Sequence, residues 1–309
     1  MILTTGEVLS HKKYGEHFHS LTIVAPEIGS RIKPGQFVNV RCGESRSHII
    51  RRPFSVYRVH KRGGWASTIE LVFDIRGPGS LYLSQLRGHA MVDLLGPLGR
   101  GFQFPKRRAH CLLIGGGIGA TPLFFLADEL RNDGHRVDVI LGARDVGLLL
   151  NPIEVRRLAS VSVTTTEDGS AGVKGRVTDV LAETIERCAT EIVYTCGPNP
   201  MMAAVSRIAT AHKVPVQVAV EELMGCGYGV CMTCVMPLRR KKRKDESPDE
   251  AVVYARSCTE GPVFNGAAVI WNGSAEPVGA DEAELAPASA ASRGSALPDP
   301  ADEFPPPGN

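Results

Sequence analysis

No apolar run in this sequence of 309 residues approaches the roughly 20 residues that a membrane-spanning helix needs, which argues against a membrane partner. The N-terminal Met1-Ile-Leu-Thr-Thr-Gly6 lacks both the basic start and the apolar stretch of a signal peptide, so the expected setting is cytoplasmic. Charge of one sign is missing as well. Thirty-five Lys and Arg against 33 Asp and Glu leave a net charge of +2, too weak a field to make nucleic acid the main partner. No internal repeat is visible. A chain this long does not depend on disulfide staples, and in a reducing compartment its eight cysteines are expected as thiols or ligands.

What is present is ordinary globular material, 43% hydrophobic and 22% charged, in a length that suits two or three domains. From Glu276 onward seven acids stand against Arg293 alone, which leaves a body of about +8, suited to phosphate-bearing ligands. Residues 1–104 read as short alternating β segments, such as Phe37-Val-Asn-Val-Arg41 and Thr68-Ile-Glu-Leu-Val-Phe73, broken by Pro34-Gly35 and Gly63-Gly64. That pattern predicts an all-β domain, a small antiparallel barrel. Residues 105–220 alternate apolar strands with helix-length segments, and five strands with crossovers predict a doubly wound parallel α/β sheet. Residues 221–272 carry four cysteines and too few apolar residues for a core of their own, so a metal centre is expected to hold them. Residues 273–309, rich in Ala, Pro and acids, are expected to be disordered.

Cys226, Cys231 and Cys234 are spaced C-x4-C-x2-C, and Cys258 follows after 23 residues, the plant-type [2Fe–2S] ligand pattern. Gly225, Gly227 and Gly229 let such a loop wrap closely and aim N–H groups at sulfur. The alternative is a Zn(Cys)4 site, although structural zinc usually takes two knuckles rather than a compact triplet with a distant fourth ligand. Residues 239–244 are six consecutive cations with no interleaved aromatics and with acids directly after, which favours a solvated hairpin tip or flexible insertion over a docking patch for an acidic partner or a nucleic-acid patch.

Arg52-Pro53-Phe54-Ser55 adjoins a β segment, and Gly77-Pro78-Gly79-Ser80 precedes a helix expected over residues 81–86. A glycine turn at a helix start gathers N–H donors for a pyrophosphate, and Arg52 can supply a charge-assisted bond to it. Gly115, Gly117, Gly119 and Thr121 belong to a glycine loop that follows an apolar strand and precedes a helix, the context of a dinucleotide site. No acid ends the next strand. Gly142-Ala-Arg-Asp145 stands there, and Arg144 is able to hold a 2′-phosphate, so NAD and NADP stay open on these residues. Cys196-Gly197-Pro198 forms a second turn at the carboxyl edge of the sheet; Cys42, Cys111 and Cys188 read as small buried residues, the bland reading that Cys196 also admits.

Taken in order, these motifs resemble the ferredoxin–NADP reductase superfamily. More narrowly, Glu222-Leu-Met-Gly-Cys-Gly-Tyr-Gly-Val-Cys-Met-Thr-Cys234, Cys258-Thr-Glu-Gly-Pro-Val-Phe264, Asp93-Leu-Leu-Gly-Pro-Leu-Gly-Arg-Gly-Phe102 and Glu167-Asp-Gly-Ser170 resemble the electron-transfer subunits of dihydroorotate dehydrogenase. The resemblance implies FAD in the barrel, NAD(H) on the α/β domain and a [2Fe–2S] cluster on Cys226, Cys231, Cys234 and Cys258. It implies that Arg52, Pro53, Phe54 and Ser55 line the flavin, that Val72, Phe73 and Asp74 lie along it, and that Gly79 and Ser80 meet its phosphates. No side chain is needed as a catalytic acid or base. The implied activity is an NAD-linked flavin iron–sulfur oxidoreductase of pyrimidine biosynthesis, working in a hetero-oligomer with a separate FMN-containing catalytic subunit. Its alternatives are the same module serving a sulfite reductase, hydrogenase or transhydrogenase, and a cofactor-less scaffold. The basic insertion, the acidic tail, and Phe54 and Ser80 in place of Tyr and Thr depart from the superfamily pattern.

Overall fold

The computed structural model describes residues 1–43, 49–240 and 251–271. Six antiparallel strands, β1 (Ile2–Tyr14), β2 (Phe18–Val24), β3 (Phe37–Val40), β4 (Arg52–Arg62), β5 (Trp65–Asp74) and β6 (Met91–Leu98), close a barrel in the order β1-β2-β5-β4-β3-β6. The period of two along each strand decides which side chains fill it. Ile69, Leu71 and Phe73 of β5 and Val38 and Val40 of β3 point inward with Val8, Leu21 and Leu94, while Val72 and Phe37 face outward into neighbouring cores. Two helices cross the barrel ends, α1 (Pro26–Gly29) and α2 (Pro78–Gln85). The second starts earlier than expected, because Pro78 takes a first-turn position and the Ser80 hydroxyl meets the Gly77 N–H.

A seven-stranded sheet follows, built from β7 (His110–Gly116), β8 (Arg136–Ala143), β9 (Ser162–Thr166), β10 (Val173–Lys174), β11 (Ile192–Cys196) and β12 (Val216–Ala219), with an edge strand from the cysteine segment. Its helices are α3 (Thr121–Asn132), α4 (Pro152–Leu158), α5 (Leu181–Arg187) and α6 (Asn199–Ala211). Along β7, Cys111 and Leu113 enter one core with α3 and α4 side chains, and Leu112 and Ile114 enter the other with α5 and α6. Alternation inside a continuous apolar run is the mark of a sheet covered on both faces.

The cysteine segment adds the hairpin β13 (Val235–Arg239) and β14 (Val252–Arg256), then β15 (Val263–Asn265), which pairs antiparallel with β12. The expectation of five parallel strands is thereby corrected to a mixed sheet of seven. β10 and β15 have two and three residues, too short for a periodic signal. The segment has no separate core, since Met236, Ala255 and Phe264 pack with the α5–α6 side of the sheet. Residues 241–250, most of the basic run, and the acidic tail lie outside the described residues.

Barrel and sheet meet through Tyr57, whose ring lies 4.7 Å from that of Phe124 and whose hydroxyl accepts from Asn151 at 3.1 Å. Beside it, Arg58 donates to Asp128 at 2.6 Å and to Glu154 at 3.1 Å.

Candidate functional site

Between β12 and β13 the chain wraps a loop around two sulfurs. The N–H groups of Cys231, Val230 and Tyr228 donate to Cys226 Sγ at 3.4, 3.3 and 3.5 Å. Cys226 N–H and the Thr233 hydroxyl donate to Cys231 Sγ at 3.3 and 3.2 Å. The Thr233 hydroxyl and these N–H groups favour the thiolate and bring Cys231 down to about 6. Burial pushes Cys226 up, but its three N–H donors outweigh burial and hold it below the usual thiol value.

Cys234 and Cys258 form the second pair. They are buried against Phe37, Leu95 and Leu98 on the barrel's outer wall, and burial, reinforced by Cys234, pushes Cys258 up to about 12. Among the described residues no three His, Cys, Asp or Glu side chains gather around a single ion. Cys226 lies with Cys231 and Cys234 with Cys258, two by two, a disposition that suits a [2Fe–2S] group in which each iron takes two thiolates. The outer, more exposed pair, half-buried Cys226 and exposed Cys231, carries the N–H donors, and the buried pair faces the barrel.

Other residues brace the loop. Asn39 of β3 donates to the Cys226 carbonyl at 2.8 Å. Arg256 donates to the Gly229 carbonyl at 3.0 Å and is itself held by Glu260 at 2.6 Å, whose carboxyl Arg256 brings down to about 2. Of these residues, Thr233 had a signal in sequence, a hydroxyl inside the cysteine triplet. Asn39 had only its polar interruption of a valine strand.

On the barrel, Arg52, Pro53, Phe54 and Ser55 open β4 and pair with Val40, Asn39, Val38 and Phe37. The β4–β5 register ends at Val56 opposite Leu71, and Val72, Phe73 and Asp74 run on beyond it. Phe73 turns inward onto Phe54, ring centres 5.6 Å apart, so what this stretch offers a ligand is backbone and Asp74 rather than the Phe73 ring. Arg51 is committed to Asp93 at 2.7 and 3.0 Å, and Arg52 beside it is exposed. The start of α2 lies against Arg52, since a Cβ placed on Gly79 would stand 3.4 Å from Arg52 Cγ. Cation and helix N-terminus converge, as a pyrophosphate requires. The Ser80 hydroxyl accepts from Arg76 N–H at 2.9 Å and from Gly77 N–H, so it shapes the turn as well as facing it.

The two glycine turns of the sheet domain touch. A Cβ on Gly119 would stand 2.5 Å from Gly197 Cα, which leaves no room for any other residue, and Gly117 takes φ +55°. Thr121, the first residue of α3, donates its hydroxyl to the Ile118 carbonyl at 2.6 Å. A cleft of about 600 Å³ runs from Gly116–Gly119, Gly197 and Pro198 to Asp74, Arg76 and Glu221, reaching from the glycine turns to the open end of β5. Cys196 is buried below it, and burial raises its thiol well above the ordinary value. At the other end of the cleft Arg144 is joined by Arg176, Thr165 and Glu167. The second cation that the sequence did not reveal beside Arg144 is therefore Arg176, carried there by the turn after β10.

Comparison with known proteins places these parts together. Residues 221–270 match the family described as the iron–sulfur cluster binding domain of dihydroorotate dehydrogenase B, and residues 113–207 match the oxidoreductase NAD-binding domain. The chain is 38% identical over 247 residues to the dihydroorotate dehydrogenase B (NAD(+)) electron transfer subunit of Desulforamulus reducens, covering 80% of this chain and 90% of the relative. With the subunit of the same description from Geobacillus thermodenitrificans it shares 33% identity, covering 85% and 96%. Among solved structures, a chain of the NADH-dependent reduced ferredoxin-NADP oxidoreductase aligns with TM-score 0.72 and 26% identity, covering 86% of this chain and 90% of that one. A ferredoxin NADP+ reductase from Neisseria gonorrhoeae with bound FAD and NADP aligns at TM-score 0.56 and 20% identity, covering 68% and 91%, a likeness of fold.

Proposed function

This chain belongs to the family of dihydroorotate dehydrogenase B electron transfer subunits, and from that membership we propose that it carries electrons from a separate dihydroorotate-oxidising subunit to NAD+. The observation that carries the proposal is the two-by-two placement of Cys226 with Cys231 and of Cys234 with Cys258, the second pair seated on the flavin barrel. When bound, FAD supplies the chemistry that links a hydride carrier to a one-electron cluster.

The residues divide that work by position. Arg52 and the first turn of α2, with Gly79 and Ser80, hold the flavin pyrophosphate; Pro53, Phe54, Ser55 and the strand end Val72-Phe73-Asp74 line its ring system. Gly115, Gly117, Gly119 and Thr121 receive the dinucleotide, and Cys196, Gly197 and Pro198 close the end of the cleft nearest Asp74. Residues 1–104, 105–220 and 221–272 are thus the flavin, nucleotide and cluster parts. Around the exposed cysteine pair, Leu223, Val230 and Met232 are 83%, 72% and 55% exposed, apolar surface of the kind that a partner covers. The catalytic subunit docks there, in a hetero-oligomer. The setting this reading carries with it is cytoplasmic, where thiolate ligands stay reduced.

Iron, acid-labile sulfide and released flavin in the anaerobically purified chain test the assignment. Two irons, two sulfides and one FAD per chain are expected. Stoichiometric zinc without sulfide, or FMN in place of FAD, contradicts it.

A further inference from the structure

Asn39 is the one polar side chain on a strand otherwise made of Phe37, Val38 and Val40, and it is 1% exposed. Strand alternation turns it outward, away from the barrel interior that Val38 and Val40 fill and toward the cysteine loop. Its Nδ2–H donates to the Cys226 carbonyl at 2.8 Å, a bond between residues 187 positions apart. The amide lies flat over Gly227, where φ is +78° and where a Cβ would run into the Asn39 side chain. The Asn39 Oδ1 atom is buried with no hydrogen-bond partner. An orphaned acceptor is a cost that a third valine would avoid, so the position is explained by what the amide does for the loop and not by packing.

Its backbone location gives that bond a consequence. Asn39 stands opposite Pro53 of β4 and Leu95 of β6. Pro53 belongs to the strand assigned to the flavin, and Leu95 is part of the wall behind Cys234 and Cys258. A single residue therefore adjoins the flavin strand, the wall behind the buried cysteine pair and the loop of the exposed pair.

We propose that Asn39 is the positioning residue through which the flavin barrel fixes the exposed half of the cysteine loop. Its N–H sets the distance of that loop from the flavin strand and points the positive end of a buried dipole at the cluster site. The proposal rests on the iron–sulfur reading of the four cysteines.

The test uses the full chain loaded with FAD and cluster, and compares Asn39→Ala, Asn39→Asp and Gly227→Ala with the wild type. Losing one buried hydrogen bond should free the loop to open more often, and iron loss to a chelator is expected to be roughly tenfold faster. The cluster's midpoint potential should fall and its reduced EPR g-values shift, because a dipole that favoured added charge is gone. Asn39→Asp keeps the shape but sets a carboxyl against the Cys226 carbonyl; ionised, it adds negative charge there, and the potential should fall further than in Asn39→Ala. The Asn39→Ala/Gly227→Ala double variant should lose iron no faster than Gly227→Ala alone, which already breaks the contact and adds the strain of a side chain at φ +78°. Wild-type iron loss, potential and g-values in Asn39→Ala overturn the proposal. Should Asn39→Ala not accumulate, Asn39→Leu, of like shape and without a donor, takes its place with the same readouts and the same overturning result. Wild-type protein that holds zinc in place of iron sinks the underlying reading instead, before any variant is compared.

Discussion

Arg58 donates from Nε to Asp128 Oδ2 at 2.6 Å, tying a barrel strand to the first long helix of the nucleotide domain. Its Nη2 reaches Glu154 Oε1 at 3.1 Å, and all three side chains are three-quarters buried. The clamp ties β4 of the barrel to α3 and α4 of the nucleotide domain. Arg58→Ala strands two carboxylates and is expected to cost about 1–3 kcal/mol. A lowered Tm together with a raised KM for NADH in a dye-reduction assay would verify it; a change in Tm alone would show that the clamp only stabilises.

Gly119 and Gly197 leave no space for a methyl group between the two turns. Gly119→Ala should therefore separate them and weaken NADH binding by about tenfold or more, near 1.4 kcal/mol, while the flavin stays bound. Titration of the flavin spectrum with NAD(H) measures both at once.

With Arg51 engaged by Asp93, Arg52 is the exposed cation beside the start of α2. Arg52→Ala should weaken FAD retention by about 1.5–3 kcal/mol, the worth of a charge-assisted bond. Flavin released on gel filtration and identified by mass gives the answer, and undiminished retention would remove Arg52 from the pyrophosphate site.

Much of this arrangement was legible before any coordinates, for identifiable reasons. Ile69 and Leu71 alternate, Cys111 to Ile114 run apolar without a break, and the cysteine and glycine spacings reflect strictly local geometry. What could not be read depends on distant parts of the chain meeting. Asn39 is buried only because residue 226 arrives over it, Arg176 reaches Arg144 only through the turn after β10, and β15 is a strand only because β12 offers it an edge. The pairing of the cysteines two by two belongs to the same class. Spacing singles out four cysteines and says nothing of which two lie together.

Acid should weaken the barrel in two stages. Burial, with Lys13 nearby, holds the stacked His11 and His19 below their usual 6.5, so as pH falls past that value the unfolded chain takes up protons first and stability declines. Burial also raises Glu70, but hydrogen bonds from His60, Ser20 and Tyr14 outweigh it and leave the carboxyl below 4.5. Its contribution is complete above that value and is lost as pH falls through the folded-state pKa. Thermal midpoints are expected to fall steadily from about pH 7 downward, with His11→Phe flattening the upper part and Glu70→Gln the lower. A wild-type midpoint constant between about pH 7 and 4 would contradict this.

The central claim is that the chain is the relay between a dihydroorotate-oxidising subunit and NAD+, with its exposed cysteine pair at the docking face. Dihydroorotate-dependent formation of NADH, followed anaerobically at 340 nm, tests it with the purified chain alone, with the catalytic subunit alone, and with the two combined. The account predicts NADH only from the combined proteins, and its loss on Cys231→Ser while NADH still reduces the bound flavin. NADH formed by this chain without a second protein, or undiminished turnover of the Cys231→Ser complex, would contradict it.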